Sequence, residues 1–435
     1  MGNFPARKAT HLGEGNSRMK RLLMTLPLVL APALPAQTAS APSDHELIQQ
    51  LLRQLSELQA EVQRLKGAAT SVPAPANSTP AQEVATGVPA PAPSTPAQAA
   101  VSPAAAAEME TSGLPGMHFQ GFSDIQFHTS DLPGSHSTFL LGQFNLFITS
   151  KISNQFSMLS EIVAEADTDN KMGIDLERLL FQYKPNDYFN LSVGRYHTAI
   201  GFYNTAYHHA TWLQTSVDRP FLFAFEDGGG ILPIHNVGLS ATGRIPSGKL
   251  GLHYTAEIGN GRTSRSPLNE PVQNVQDENN RKAVNFAVYA RPDGVRGLQA
   301  GFSIYRDRLY PEGLPAIGQT IMAAHAIYQP TRFEFLNEMV VLRHALPSGM
   351  VYHIPAFYSQ LSVLFGKVRP YVRYEYMNVP QNDPMFSDVG LRHGPTAGLR
   401  YNFNEFAAFK LEYNRLQQRQ LPEINGLRSQ VTFAF

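Results

Sequence analysis

From Met117 to Phe435 the chain is built of segments of about ten residues in which apolar and polar side chains alternate. A period of two marks a β-strand whose faces meet different surroundings. In 249–259, Leu250, Leu252, Tyr254, Ala256 and Ile258 share one face, and Gly251, His253, Thr255 and Glu257 share the other. In 297–308, Leu298, Ala300, Phe302 and Ile304 oppose Gln299, Gly301, Ser303 and Asp307. In 405–415, Ala407, Phe409, Leu411 and Tyr413 oppose Ala408, Lys410, Glu412 and Asn414. The pattern predicts sixteen strands, at 117–127, 139–150, 153–165, 172–183, 188–197, 235–244, 249–259, 282–291, 297–308, 319–329, 332–342, 353–365, 368–378, 392–402, 405–415 and 427–435.

The connections alternate in length. Lys184-Pro185-Asn186-Asp187, Ile245-Pro246-Ser247-Gly248, Arg291-Pro292-Asp293-Gly294 and Gln329-Pro330-Thr331-Arg332 carry turn chemistry. Others, such as 260–280 and 379–391, are longer and richer in Gly, Asn and Asp. The expected fold class is therefore all-β, a sixteen-stranded antiparallel transmembrane β-barrel. An even count puts both termini at the end with the short turns, the periplasmic one. A soluble β-sandwich also alternates, but sixteen strands with faces this aromatic would leave one of those faces in water.

Upstream of 117 the periodicity changes. Within 43–66, Ile48, Leu55 and Val62 fall at heptad a and Leu51, Leu58 and Leu65 at d. Ser43 and Glu46 form a capping box and Gly67 stands at the stop. An apolar stripe this narrow suits a self-associating coil better than a globular helix. Residues 67–116 are Pro- and Ala-rich, with VPAPANSTPAQ at 72–82 nearly repeated as VPAPAPSTPAQ at 88–98. Proline at that density favours an extended, disordered linker. Residues 1–36 are expected to hold an N-terminal extension and a signal peptide, with Arg18, Lys20 and Arg21 before an apolar run at 22–34 and cleavage after Ala36. Met19 is an alternative start, and residues 1–18 match neither signal nor structure.

Composition narrows the chemistry. With 35 basic and 35 acidic residues there is no charge excess to suggest a nucleic-acid partner, and the absence of cysteine rules out disulfides and thiolate metal sites. No Gly-x-Ser-x-Gly elbow or His-Glu-x-x-His helix occurs, and His45-Glu46 lacks a second histidine. Neither an enzyme nor a cofactor is expected.

The closing Val431-Thr432-Phe433-Ala434-Phe435 resembles the terminal strand of outer-membrane barrels. The whole of 117–435 resembles trimeric sixteen-stranded Gram-negative porins. Coil plus linker is similar to DcaP-like porins and the phosphate-selective porin group. The resemblance implies an outer-membrane pore with a periplasmic coil, a homotrimer set among membrane lipid and lipopolysaccharide, and recognition of Phe435 by the barrel assembly machinery. It also implies that the longest connection, 198–234, folds inward and narrows the pore. Phe202, Tyr203, Tyr207, Trp212, Phe221, Phe223 and Phe225 make that segment too apolar for a solvated loop of its length.

Asp218, Arg219, Glu226 and Asp227 are the candidate constriction residues, the last two beside Gly228-Gly229-Gly230. As pore carboxylates they would attract cations; alternatively they hold the loop by hydrogen bonds. His208-His209 is an adjacent pair, which strand geometry points apart, so aromatic packing or an interface contact is expected of it and a shared metal site is not. Strand parity turns Glu161, Glu165, Asp175 and Glu177 inward from strands 3 and 4. Arg369, Arg373, Glu375, Arg400, Lys410, Glu412 and Arg428 turn inward from strands 13–16. Opposed acidic and basic walls would set up a transverse field; ion pairing within each wall is the alternative.

Passive diffusion of small hydrophilic solutes is the expected function. The rivals are an anion channel for phosphate or dicarboxylates, using Arg369, Arg373 and Arg400, and a structural tether acting through the coil. The 117–435 region holds 27 basic and 27 acidic residues, so the basic excess that phosphate selectivity would favour is missing.

Overall fold

The computed structural model describes residues 115–435 apart from 167–170, 208, 210, 227, 263–275, 312 and 420. The expected signal, coil and all but the last two residues of the linker lie outside the described residues. The strands are β1 Met117–Ser130, β2 Thr138–Lys151, β3 Phe156–Ala166, β4 Met172–Asn186, β5 Phe189–His197 and β6 His235–Ile245. They continue with β7 Leu252–Gly259, β8 Ala283–Ala290, β9 Leu298–Leu309, β10 Ile317–Tyr328 and β11 Phe333–Ala345. The last are β12 Val351–Val363, β13 Val368–Asn378, β14 Leu391–Asn402, β15 Ala407–Gln418 and β16 Ile424–Ala434. Each pairs antiparallel with its chain neighbours, and β16 pairs with β1, closing the barrel.

Every predicted segment is a strand, with ends that move by a few residues. The turn before β7 needs correcting: Gly248–Leu250 is a short 3₁₀ turn, so Leu250 and Gly251 precede the strand. Gly251 has φ +56°, and a Cβ there would collide with the Arg291 carbonyl, so only glycine suits this close approach.

The burial pattern is the reverse of a water-soluble protein's. Phe139 and Ile174, both outward, are 79% and 75% exposed, while inward Lys410 and Glu161 are 0% exposed. A band of outward Phe, Leu, Ile and Val this continuous far exceeds what a soluble surface carries, and it fits contact with hydrocarbon. Closure removes the edges that would otherwise expose unpaired backbone.

The seam runs Phe122↔Ala434 through Ser130↔Gly426. Phe435 completes it: its N–H donates to the Gly121 carbonyl at 3.0 Å, its carbonyl accepts the Gly121 N–H at 2.8 Å, and its ring stacks on Phe144 at 5.5 Å. Gly121 has to be small here, because a Cβ would enter the Phe435 ring.

The inner faces of β10–β12 carry an apolar patch of Ile321, Ile327, Leu336, Val340, Ile354 and Tyr358, all buried, among polar residues such as Gln319, Glu338 and Gln360. That departs from a uniformly polar lumen. The cause is the segment 198–234, whose Phe202, Tyr203, Tyr207, Leu222 and Phe223 join the same buried cluster. Met385 and Phe386, from the connection between β13 and β14, also fold into it.

Candidate functional site: the lumen and the loop across it

A backbone placed inside a barrel away from its strands leaves N–H and C=O groups unsatisfied, each costing about 1–3 kcal/mol. Among the described residues of 198–234 the regular structure is the helical turn Tyr203–Ala206 and the 3₁₀ turn Phe221–Phe223. Charged side chains of the wall supply the missing partners. Glu338 on β11 accepts the N–H groups of Phe202 at 2.5 Å and Tyr203 at 2.9 Å. Glu257 on β7 accepts that of Ala199 at 3.1 Å, and Glu375 on β13 that of Phe221 at 2.7 Å. Glu412 on β15 accepts that of Val217 at 3.1 Å.

Cations do the same for the carbonyls. Lys410 donates to Thr211 O at 2.6 Å and Ser216 O at 2.9 Å. Arg400 donates to Trp212 O at 2.6 Å and Gln214 O at 3.0 Å, its guanidinium 4.6 Å from the Trp212 ring. Arg373 donates to Asp218 O at 2.9 Å. The loop touches strands right round the barrel and is held as a charge-assisted crosspiece. Gly201, at φ +73°, lets the chain enter it against Glu338.

The remaining sequence-predicted residues sit as follows. Asp218 pairs with Arg428 of β16. The Arg219 guanidinium lies 3.6 Å over the Phe225 ring. Glu226 accepts the Ile234 N–H at 2.7 Å, which fastens the loop's return to β6. Burial alone would raise its carboxyl, but hydrogen bonding and charge from His235, with the charge of Arg262, hold it below the usual carboxylate range. Asp227 lies outside the described residues. On the opposite wall Glu161 accepts from Asn145 at 2.7 Å and pairs with Arg178 at 2.5 Å. Glu165 accepts from Gln143 at 2.5 Å, and Asp175 faces Val163 across the β3–β4 ladder. Glu177 lies 3.7 Å from Arg195. Arg369 donates to Ser362 at 3.2 Å, and Arg373 also pairs with Glu375 at 3.1 Å. Both walls thus contain acid and base side by side.

Glu338 and Glu334 of β11, and Arg262, which donates to Leu232 O at 3.0 Å and Gly230 O at 2.7 Å, are loop fasteners the sequence did not single out. Glu334 accepts from Thr215 at 3.2 Å. Glu257 was placed inward by parity, without a role. Inward parity was the one signal available for Glu334 and Glu338, and they share it on β11 with Leu336, Val340, Leu342 and His344. His209 does pack aromatically, its ring 4.3 Å from Phe225 and nearly parallel.

Conservative exchanges at these fasteners provide a graded check. Arg400→Lys keeps the charge but loses the guanidinium's contact with the Trp212 ring and its Nε bond to Asn402, so the loop should loosen by about 1–2 kcal/mol. Hydrogen exchange of the loop amides would report it.

No protein-family profile and no curated protein matches the sequence. Solved structures do. The anion-selective porin from Comamonas acidovorans aligns over 74% of this chain and 100% of its own, with TM-score 0.54 and 12% identity. The outer-membrane channel DcaP of Acinetobacter baumannii aligns over 75% and 99%, with TM-score 0.53 and 8% identity. The trimer form of OmpT, an outer-membrane protein of Vibrio cholerae, aligns over 74% and 100%, with TM-score 0.50 and 11% identity. The fold is that of the outer-membrane porins. In a porin-type barrel with sixteen strands, the long connections gather at the end opposite the termini, and the Phe435 seam and short turns occupy the other. At such low identity the likeness extends to architecture, and the wall-to-loop fastening above rests on this chain's own residues.

Proposed function

We propose that the barrel is a passive diffusion channel of the outer membrane for small hydrophilic solutes and ions. The observation that carries this reading is a pair of cavities on either side of the 198–234 crosspiece, each lined by a mixture of polar and apolar side chains. One, of about 690 Å³, lies toward the long-loop end between Gln126, Gln143, Glu165, Thr211 and Asp218. The other, of about 360 Å³, lies toward the turn end among Asn190, Ser192, Thr242, Arg244, Glu257 and Arg291. Amides, hydroxyls and paired charges set among apolar side chains offer solutes hydrogen bonds without a deep trap, which suits entry and release. Homotrimeric assembly is part of the proposal, supported by the trimer form of OmpT; the heptad pattern of 43–66 supports self-association without separating dimer from trimer. Single-channel recording of the purified protein should give current steps whose conductance rises linearly with salt. Folded protein that inserts and passes no current would overturn the reading.

A second reading, anion preference, is favoured by the turn-end vestibule. Arg178, Lys184, Arg244 and Arg291 line it against Asp187 and Glu257. Arg373, Arg400 and Lys410 are engaged with loop carbonyls, so a selectivity region would lie at this vestibule instead. Changing Arg244 and Arg291 together to Gln should move the reversal potential toward cations, by about two- to threefold in permeability ratio. An unchanged reversal potential would remove the vestibule from the account of selectivity.

A further inference from the structure

We propose that Glu177, His209 and His235 form a divalent-metal site, suited to zinc, that clamps the crossing loop to the wall. The three come from separate parts of the chain. A bulge in the β3–β4 ladder between Glu161 and Ile162 turns Glu177 into the lumen beside Arg178. His235 opens β6 where the loop rejoins the wall, and His209 lies within the loop. All three are buried, and one donor atom from each lies within 4.8 Å of the others. Glu177 Oε2 is 3.3 Å from His209 Nε2 and 2.5 Å from His235 Nε2.

The surroundings fix which ring nitrogens face the centre. Gln143 donates its amide N–H to Glu165 at 2.5 Å, so its carbonyl oxygen is the atom that meets His209 Nδ1 at 3.1 Å. That oxygen can only accept, so the proton sits on Nδ1 and the Nε2 lone pair points at Glu177. His235 Nδ1 faces the Glu226 carboxylate at 3.5 Å, leaving its Nε2 for the centre in the same way. An acceptor behind each imidazole is the arrangement that orients metal-bound histidines and raises their donor strength.

Distances and charge agree with the assignment. Four-coordinate zinc with bonds of about 2.0–2.1 Å separates its donors by about 3.3 Å. The Glu177–His209 gap has that value already, and the Glu177–His235 gap has to widen by under about 1 Å, within reach of side-chain rotation. Two imidazoles and a carboxylate select zinc over calcium or magnesium, which take oxygen ligands. The Arg195 guanidinium stands 3.7 Å from Glu177 Oε2, held there by its Nε bond to the Glu177 carbonyl at 3.0 Å. Glu161 and Glu226 add two carboxylates nearby. Three protein donors leave a fourth position for water. Bound zinc would join His209 of the loop to β4 and β6, adding a cross-link on the side of the barrel facing away from Glu338.

The test uses the complete processed protein, folded in detergent, stripped with chelator and titrated with zinc chloride alone. Calorimetry should give one zinc per chain. His209→Ala and Glu177→Gln should each weaken binding at least about tenfold, and Glu226→Gln should weaken it by a similar factor through His235. Cobalt substituted for zinc should show the intense visible bands of tetrahedral coordination, and His209→Ala should lose them. Heat-modifiable gel migration confirms that each variant retains the barrel. A folded parent that takes up no zinc overturns the proposal. So does uptake that His209→Ala and Glu177→Gln both leave unchanged, since the same three side chains can hold one another through a protonated imidazole alone.

Discussion

Glu338→Ala should release the crossing loop and raise single-channel conductance several-fold while the barrel stays folded. Glu338 is 3% exposed and accepts from the Phe202 and Tyr203 N–H groups and, at 2.6 Å, from the Tyr358 hydroxyl. Alanine strands three donors in an apolar setting. Each costs about 1–3 kcal/mol, so the three together remove a large part of the free energy that holds the loop in place. The loop then moves toward solvent, where water satisfies the same groups. Chymotrypsin should report this by cutting after Phe221 or Phe225, and the parent should resist under the same conditions. Glu338→Gln should fall between the two, because its one carbonyl oxygen replaces part of the acceptor set. Conductance and protease resistance both unchanged in Glu338→Ala would show that the loop is held without the carboxylate.

The second large effect is expected of Phe223→Ala, which attacks the apolar side of the same docking. Phe223 is 0% exposed, stacks on Tyr203 at 5.4 Å and meets Tyr358 edge-on at 6.1 Å. Truncating a phenylalanine in such a site costs about 3–5 kcal/mol in lost burial and residual cavity. Chymotrypsin susceptibility and open-channel noise should both rise. Because both substitutions act on one docking equilibrium, their effects should not add: once the loop is free, the second has little left to remove. Additive effects on conductance would mean that the charged and apolar contacts hold separate parts of the loop.

The barrel was legible in the sequence because lipid and lumen impose opposite demands on alternate residues. Strands 7, 9 and 15 show it cleanly: Glu257, Asp307 and Glu412 stand inward and Ile258, Phe302 and Leu411 outward. The signal fades in β10–β12, where Ile321, Val340 and Ile354 are apolar and inward. There one face meets hydrocarbon and the other meets the docked loop, so both favour apolar side chains. The inward course of 198–234 was readable from its aromatics. Its fastening was not, since Glu338 and the Phe202 N–H it holds are separated by 136 residues and a single sequence carries no mark of such pairing. The Glu177, His209 and His235 cluster was hidden for the same reason. Adjacent His208 and His209 invited a search for a metal within one strand, whereas the donors that meet come from a bulged strand, a loop and a strand start.

The seam at Phe435 bears on how the molecule comes into being. Its partners are distant in the chain, Asp124 and Gln430 being 306 residues apart, whereas every other pair of adjacent strands follows in direct succession. Contacts at that separation cost the most loop-closure entropy and form late. Until the final strand exists, β1 and the growing end of the sheet are two open edges, each a template for foreign strands. A partly assembled barrel of this kind is therefore exposed to foreign pairing until β16 meets β1 along the whole seam.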